Sequence, residues 1–529
     1  MRYLNKINSC ILISTIVGMS LMSGCASSSD VTVLRVANWE EYIDMGDWDE
    51  DEIIELEDGS TVFGEDDLMS EFEDWYYETH HKKIKVEYSC FGTNEELYNQ
   101  LTLGSVYDLV CPSEYMIMKL LHEDELLPYD ESFFDKSKEE NYYIRGVSNY
   151  IDNVYNELSI DGKVLHDHTA GYMWGTLGIV YNPEYVDEED ASHWNILLND
   201  KYKRQITVKD SVRDAYFAAL AIKNYDLITS EEFINAPDYH DRLTEVLNAT
   251  DQSTVDAAQE VLTRIKENVY SFETDAGKAD MVTGKVVANQ QWSGDGAYTI
   301  EQAMDDDLEL RYATPEECTN LWFDGWVMLK RGMQDDPEKK EAAQAFVNFL
   351  SRPDNVIRNM YYIGYTSVIS GGKDDMIYEY AKYQCEGEEE EVDNDDVYSE
   401  ADQGMEEGDE SPQGDDTDDE AGQTVLDSRY DLSVLQNSGQ HSEGDRQGGL
   451  RAYPLGYFFG NGSEDDDAYT LYVEPGTGQE ALLESRYPLI EIMDRAVVMD
   501  YFDEKGNEAI NRMWTNVRCF DLKNILLGR

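Results

Sequence analysis

Five times between residues 31 and 295, a short run rich in aliphatic and β-branched residues leads into a turn or helix start that bears aromatic and acidic side chains. Residues 31–36 (VTVLRV) run into Asn38, Trp39, Glu40, Glu41 and Tyr42, and residues 83–88 (KIKVEY) run toward the capping-box spacing of Thr93 and Glu96. Residues 107–111 (YDLVC) end at Pro112, Ser113, Glu114 and Tyr115. Residues 206–208 precede Asp210 and Ser211, two N-cap residue types, with Asp214 in the first helical turn. Residues 285–290 lead into Trp292, Ser293, Gly294 and Asp295. Strand-like runs separated by helix-length segments predict α/β sheet domains. In open sheets of that kind, ligands bind just outside the carboxyl ends of the strands.

The amino terminus carries an export signal. Arg2 and Lys6 precede an apolar run over residues 7–22, followed by Ser23, Gly24, Cys25 and a serine run. The run falls short of the roughly 20 apolar residues of a membrane span, and no later stretch qualifies. The string LMSGC resembles a bacterial lipobox, with Met22 where leucine is usual. That resemblance predicts removal of residues 1–24 and lipidation of Cys25, an anchor on the outer face of the cytoplasmic membrane.

The 111 acidic residues outnumber 41 basic ones, giving a formal charge of -70, which disfavours nucleic acid and anionic lipid and favours cations. The seven cysteines form no CxxC pair, so the five beyond Cys10 and Cys25 read as core thiols, without a zinc site or a disulfide framework. The chain has no GxSxG elbow and no HExxH, and its eight histidines show no metal-ligand spacing, so hydrolase chemistry finds no support. Residues 46–71 form an acidic stretch, and residues 137–167 read as a polar surface excursion. From 386 to 420, 19 of 35 residues are Asp or Glu, a composition that predicts disorder. Foldable character returns at residues 453–459 and in a late helix with Ile510, Met513, Trp514 and Val517 on one face, so the acidic block (386–449) is an insertion.

Ten strings in order, among them NWEEYID (38–44), YDLVCPSEYMIMKLL (107–121), GYMWGTLGIVYNP (171–183), QWSGDGAY (291–298), LWFDGWVM (321–328) and YIGYTSV (362–368), resemble the PotD and PotF type of polyamine-binding proteins. The resemblance implies a type II periplasmic-binding-protein-like fold, two α/β lobes with a ligand cleft at the hinge. Lobe 1 would hold residues 31–165 and 296–350, and lobe 2 residues 166–295 and 351–529. It also implies a monomer without cofactor or metal that captures putrescine or spermidine and hands it to an ABC permease and its ATPase. Another cationic solute, or a surface sensor built on the same fold, remains the alternative.

A polyamine needs apolar walls for its methylenes and carboxylates for its ammonium groups, and aromatic faces attract cations as well. The resemblance assigns the aromatic box to Trp39, Tyr42, Tyr115, Trp292 and Trp322, and the acidic ligands to Asp214, Asp295 and Asp324. Tyr365 and Ser113 are secondary contacts, Ser113 being equally suited to capping a helix. Trp174 reads as a hinge residue. Two departures bear on specificity: relatives often have Glu at the position of Asp214, and spermidine binders often have Asp at that of Ser211. One fewer acid would let putrescine rival spermidine.

Overall fold

The computed structural model describes residues 31–49, 52–333, 336–371, 376–386, 446–447, 449–460 and 467–519. Strand β1 (Val31–Trp39) pairs in parallel with β2 (Lys83–Phe91) along its whole length, from Val31 opposite Lys83 to Trp39 opposite Phe91. A short parallel strand, β3 (Leu109–Val110), lies on the other side of β1. The helix after β2, α1 (Asn94–Thr102), begins as the capping spacing predicts. Thr93 Oγ1 accepts from Glu96 N at 3.0 Å, and the Glu96 carboxylate accepts from Gly92 N at 2.9 Å. Helix α2 (Glu114–His122) follows β3 directly.

Two long strands, buried throughout, traverse the molecule: β4 (Ala170–Tyr181) and, far along the chain, β8 (Thr319–Leu329). Between them the chain forms β5 (Ile206–Lys209), α3 (Val212–Ile228), β6 (Ser271–Glu273), β7 (Ala288–Trp292) and α4 (Ser293–Asp305). The sheet order is β6-β5-β7-β4-β8-β3-β1-β2. One end of β4 pairs antiparallel with β8, Thr176 opposite Leu321, and the other end with β7, Leu177 opposite Trp292. One end of β8 continues onto β3. The pair β4 and β8 therefore joins two half-sheets, as expected of a two-lobed binding fold. Where they cross, Gly175 is needed: a Cβ there would lie 2.2 Å from Ser293 Oγ and 2.6 Å from the Trp322 ring. Trp174 is fully buried and stacks on Phe458 at 5.2 Å, in keeping with its expected place at the hinge.

The cores show which segments pack together. One core joins β1, β3 and α2 to residues from Phe346 to Ala381 and to part of the stretch from Tyr453 to Met493, while Ala481 and Leu482 of that stretch pack with α4 on the second half-sheet. The second core joins α3 to the late helix α5 (Glu504–Cys519) through Ile510, Met513 and Val517. Helix α4, expected partly in lobe 1, covers the opposite face of the second half-sheet, with Ala297 and Ile300 against Val180 and Tyr312. Chain order gave no guide here, because long-range packing decides which half a late segment covers.

Residues 137–167 are no surface excursion. Tyr143 and Tyr155 are fully buried, Tyr143 against Phe133 at 5.5 Å and Tyr155 against Phe323 at 4.5 Å. The acidic stretch 46–71 is pinned by Arg358, which reaches Asp44 at 2.7 Å and Glu71 at 2.6 Å. Cys111 and Cys318 are core thiols, but Cys90 and Cys519 are exposed. The export signal and Cys25 lie outside the described residues, as does the acidic block apart from its edges. At its carboxyl edge, Arg446 and Gln447 pair with Arg451 and Leu450 in a hairpin, so folded chain resumes before residue 449. Among the described residues no helix is long and apolar enough to cross a membrane.

Candidate functional site

The carboxyl ends of β1 and β3 and the middle of β8 meet at one place. Trp39 is the last residue of β1, Tyr42 follows in the next turn, and Ser113 precedes α2. On β8 the register slips between Asp324 and Gly325, and Asp324 bridges to Ser113. Such a bulge re-aims the side chain it carries. Here it delivers the Asp324 carboxylate to two hydroxyl donors, Tyr42 Oη at 2.7 Å and Ser113 Oγ at 2.8 Å. Ser113 sits at the N-cap position without capping the helix; its hydroxyl accepts from Asn94 Nδ2 at 3.1 Å and serves Asp324 instead.

Aromatic rings enclose this carboxylate. Tyr365 packs edge-on against Tyr42, with centroids 5.4 Å apart, and tilts against Trp322 at 5.6 Å. Trp322 donates its indole N–H to Thr176 O at 3.1 Å, which fixes its ring on the hinge strands. The Trp39 indole N–H is buried without a hydrogen-bond partner of good geometry and lies near the same carboxyl group.

Asp324 is 6% exposed, and no Lys or Arg among the described residues pairs with it within 4.0 Å. Lys330, near it in sequence, holds Asp124 at 2.8 Å. Burial pushes the Asp324 carboxyl up to about 6, and the hydrogen bonds from Tyr42 and Ser113, with the Trp39 indole N–H nearby, restrain the rise. Beside it stands Glu114, the first residue of α2 and 2% exposed, whose carboxyl is raised to about 8 by burial and then by the charge of Asp324. Arg213 draws the Glu114 value back only in part, and two like charges with no ion pair within 4.0 Å among the described residues cannot both ionise cheaply in such surroundings. The sequence analysis missed Glu114. Its adjacency to Ser113 past a strand end was the available signal, masked because an acid in a first helical turn is ordinarily explained by the helix dipole.

The opposite wall comes from the second half-sheet. Asp214 lies in the first turn of α3, Trp292 ends β7 and Asp295 lies in the first turn of α4. Asp214 is 5% exposed, and burial raises its carboxyl, opposed by the polar groups of Ser211 and Trp292 and by Lys209 and Arg213 nearby.

Asp295 differs from the expectation of a carboxylate awaiting a ligand ammonium. Lys209, the last residue of β5 and 1% exposed, reaches Asp295 Oδ2 at 2.6 Å, and Lys278 lies 3.4 Å from Oδ1. Tyr365 Oη also donates to Oδ1, at 3.0 Å. Burial alone would raise this carboxyl, but the two lysines outweigh it and hold Asp295 down at about 2. Strand order explains the pairing: β5 and β7 are neighbours in parallel, so Lys209 and the residues just past β7 lie side by side despite distant sequence positions.

The aromatic box is likewise partly filled from within. Lys209 Nζ sits 4.4 Å over the Trp292 ring, and the Arg213 guanidinium lies 4.3 Å over Tyr115 and 3.7 Å over Phe502. Tyr115 comes from the first half and Arg213 from the second. With the Tyr365 to Asp295 hydrogen bond, they close the cleft from both sides. Of the ten residues singled out in the sequence, Trp39, Tyr42, Ser113, Trp322, Asp324 and Tyr365 form one connected cluster that reaches Asp295 through Tyr365. Asp214 and Trp292 line the second wall, and Tyr115 is joined to it by Arg213.

Two α/β halves, two crossing strands and a charged aromatic cleft between them define a solute-binding protein of the two-lobed kind. A family model for bacterial extracellular solute-binding proteins matches residues 68–382, more than half of the chain, and the protein belongs to that family. The chain is 26% identical over 356 residues to the spermidine/putrescine-binding periplasmic protein of Salmonella typhimurium, an alignment covering 66% of this chain and 80% of that protein. It is 25% identical over 346 residues to the putrescine-binding periplasmic protein SpuD of Pseudomonas aeruginosa, covering 63% and 77%. The fold matches that of the spermidine/putrescine ABC transporter substrate-binding protein PotD of Streptococcus pneumoniae with a TM-score of 0.51 at 21% identity, over 92% of this chain and 98% of that one.

Proposed function

We propose that the protein captures a polyamine outside the cytoplasm, putrescine or spermidine, and presents it to an ABC permease and its ATPase. The observation that carries this reading is Asp324. A carboxylate taken out of water costs several kcal/mol unless a cation joins it. The protein supplies hydroxyl donors and aromatic walls at Asp324 but no Lys or Arg among the described residues, and places a second acid, Glu114, beside it. An alkylammonium group matches that demand. Its charge pairs with Asp324, its methylenes lie against Trp39, Tyr42, Trp322 and Tyr365, and each well-placed ring adds about 0.5 to 2 kcal/mol. The names of the curated relatives support the same solute class.

Binding would draw the halves together, because the carboxylates stand on both walls and the ligand neutralises them only when both are near. Cys25 would tether the processed chain to the outer face of the membrane, as a monomer without a cofactor, in reach of the permease. Titration calorimetry of the mature chain with putrescine and spermidine tests the reading. We expect one-to-one binding at about micromolar affinity or tighter, near -8 kcal/mol, and a loss of roughly 2 to 5 kcal/mol in Asp324→Asn. Absence of heat with every polyamine, or full affinity in Asp324→Asn, would overturn it.

A further inference from the structure

Lys209 is a lysine buried to 1% exposure inside a cleft otherwise rich in acids. It holds three partners at once: Asp295 Oδ2 at 2.6 Å, the Thr274 carbonyl at 2.7 Å and the face of Trp292 at 4.4 Å. A carboxylate, a carbonyl and an aromatic face are the groups with which a protein recognises a primary ammonium on a methylene chain. We infer that Lys209 is a built-in ammonium group that fills one amine position of the cleft and makes the protein select diamines over triamines. This rests on the polyamine reading and deepens it.

The charge of Asp295 is already paired with two lysines, Lys209 on Oδ2 and Lys278 on Oδ1, and Tyr365 Oη donates to Oδ1 as well, so it offers a ligand ammonium no unpaired charge. Two anionic anchors remain free of an ion pair within 4.0 Å among the described residues: the Asp324 and Glu114 pair on the first wall, and Asp214 on the second. Two anchors suit two ammonium groups. A third amine on a longer chain would enter where Lys209 and Lys278 already stand, with like charges facing it and no unpaired acid to receive it. Asp214 is too near Lys209 and Arg213 to serve two cations.

The test is calorimetry of the mature chain with putrescine and spermidine, on wild type, Lys209→Met, and the double variant Lys209→Met with Asp295→Asn. Wild type should bind putrescine at least about tenfold more tightly than spermidine. Lys209→Met keeps the apolar stem but frees Asp295, so spermidine affinity should rise until the preference is erased or reversed. The double variant removes both charges together, leaving no buried carboxylate stripped of its lysine. Whatever its absolute affinities, its spermidine-to-putrescine ratio should stay that of wild type, because no unpaired acid has been opened for a third amine. Wild type binding spermidine as tightly as putrescine overturns the inference without any variant, as does an unchanged ratio in Lys209→Met. Should wild type bind neither amine, the polyamine reading itself fails, an outcome distinct from a lost preference.

Discussion

Asp324 and Asp295 are chemically identical and both buried, one at a bulge in the middle of β8 and the other in the first turn of α4, yet their neighbours give them opposite proton affinities. Asp295 is held at about 2 because, against its burial, Lys209 and Lys278 neutralise it. Asp324 rises to about 6, and its companion Glu114 to about 8, because burial meets no paired cation. A ligand ammonium that pairs with the ionised form must therefore compete with a proton at Asp324 and Glu114, but not at Asp295. The sign follows: lowering the pH through the raised pKa values favours the protonated acids and weakens binding. Putrescine affinity should level off above about pH 8, fall by up to about tenfold per pH unit between about 8 and 6, where Glu114 takes its proton, and by up to about a hundredfold per unit below about pH 6, where Asp324 joins it. Near neutrality, binding should release protons, seen as a heat that changes with the ionisation enthalpy of the buffer. Affinity independent of pH from about 5 to 8 would show that neither Asp324 nor Glu114 meets the ligand.

At the scale of the element, the site depends on close approach between the start of α4 and the ring of Tyr365. A Cβ on Gly294 would lie 2.1 Å from Tyr365 Cδ1, so this ring packs against helix backbone that only glycine leaves open. Gly294→Ala should push Tyr365 off its bond to Asp295 and off its contacts with Tyr42 and Trp322. The expected result is a loss of about tenfold or more in affinity, with a stability cost of about 1 to 3 kcal/mol typical of overpacking, offset in part by the better helix propensity of alanine. Calorimetry beside thermal melting separates the two effects; unchanged affinity would mean that the ring is not part of the ligand wall. What the sequence made legible belongs to this scale too. Runs such as 31–36 and 83–88 became β1 and β2 because their apolar alternation matches one buried face, and the residues singled out after strand ends come together where the two half-sheets meet. The run at 285–290 was displaced, with β7 occupying Ala288–Trp292 and so including the tryptophan. Lys209 against Asp295 was illegible, because their pairing follows from strand order rather than spacing. The stacking of Phe458 on Trp174 was illegible for a related reason, since the two rings lie far apart in sequence.

For the whole molecule, the relevant quantity is a formal charge of -70 on 529 residues, more than a quarter of which falls in one 35-residue stretch, with 19 acids between 386 and 420. That stretch lies outside the described residues, and the cleft residues discussed above all come from the chain before residue 371, with Phe502 and Asp500 supporting Arg213. The charge and the cleft should therefore act on different steps. A diffusing dication feels the summed field only within a Debye length, about 10 Å at 0.1 M salt, whereas ion pairs inside the closed cleft are shielded from salt. Raising ionic strength from about 10 to about 200 mM should slow association several-fold and leave dissociation nearly unchanged. Stopped-flow tryptophan fluorescence is suited to the measurement, because Trp39, Trp292 and Trp322 all border the site. Replacing residues 387–445 with a short neutral linker should lower the association rate at low salt and reduce its salt dependence, while the dissociation rate stays the same. If the shortened chain instead releases its ligand faster, the acidic block acts on the bound state, and its role is more than steering.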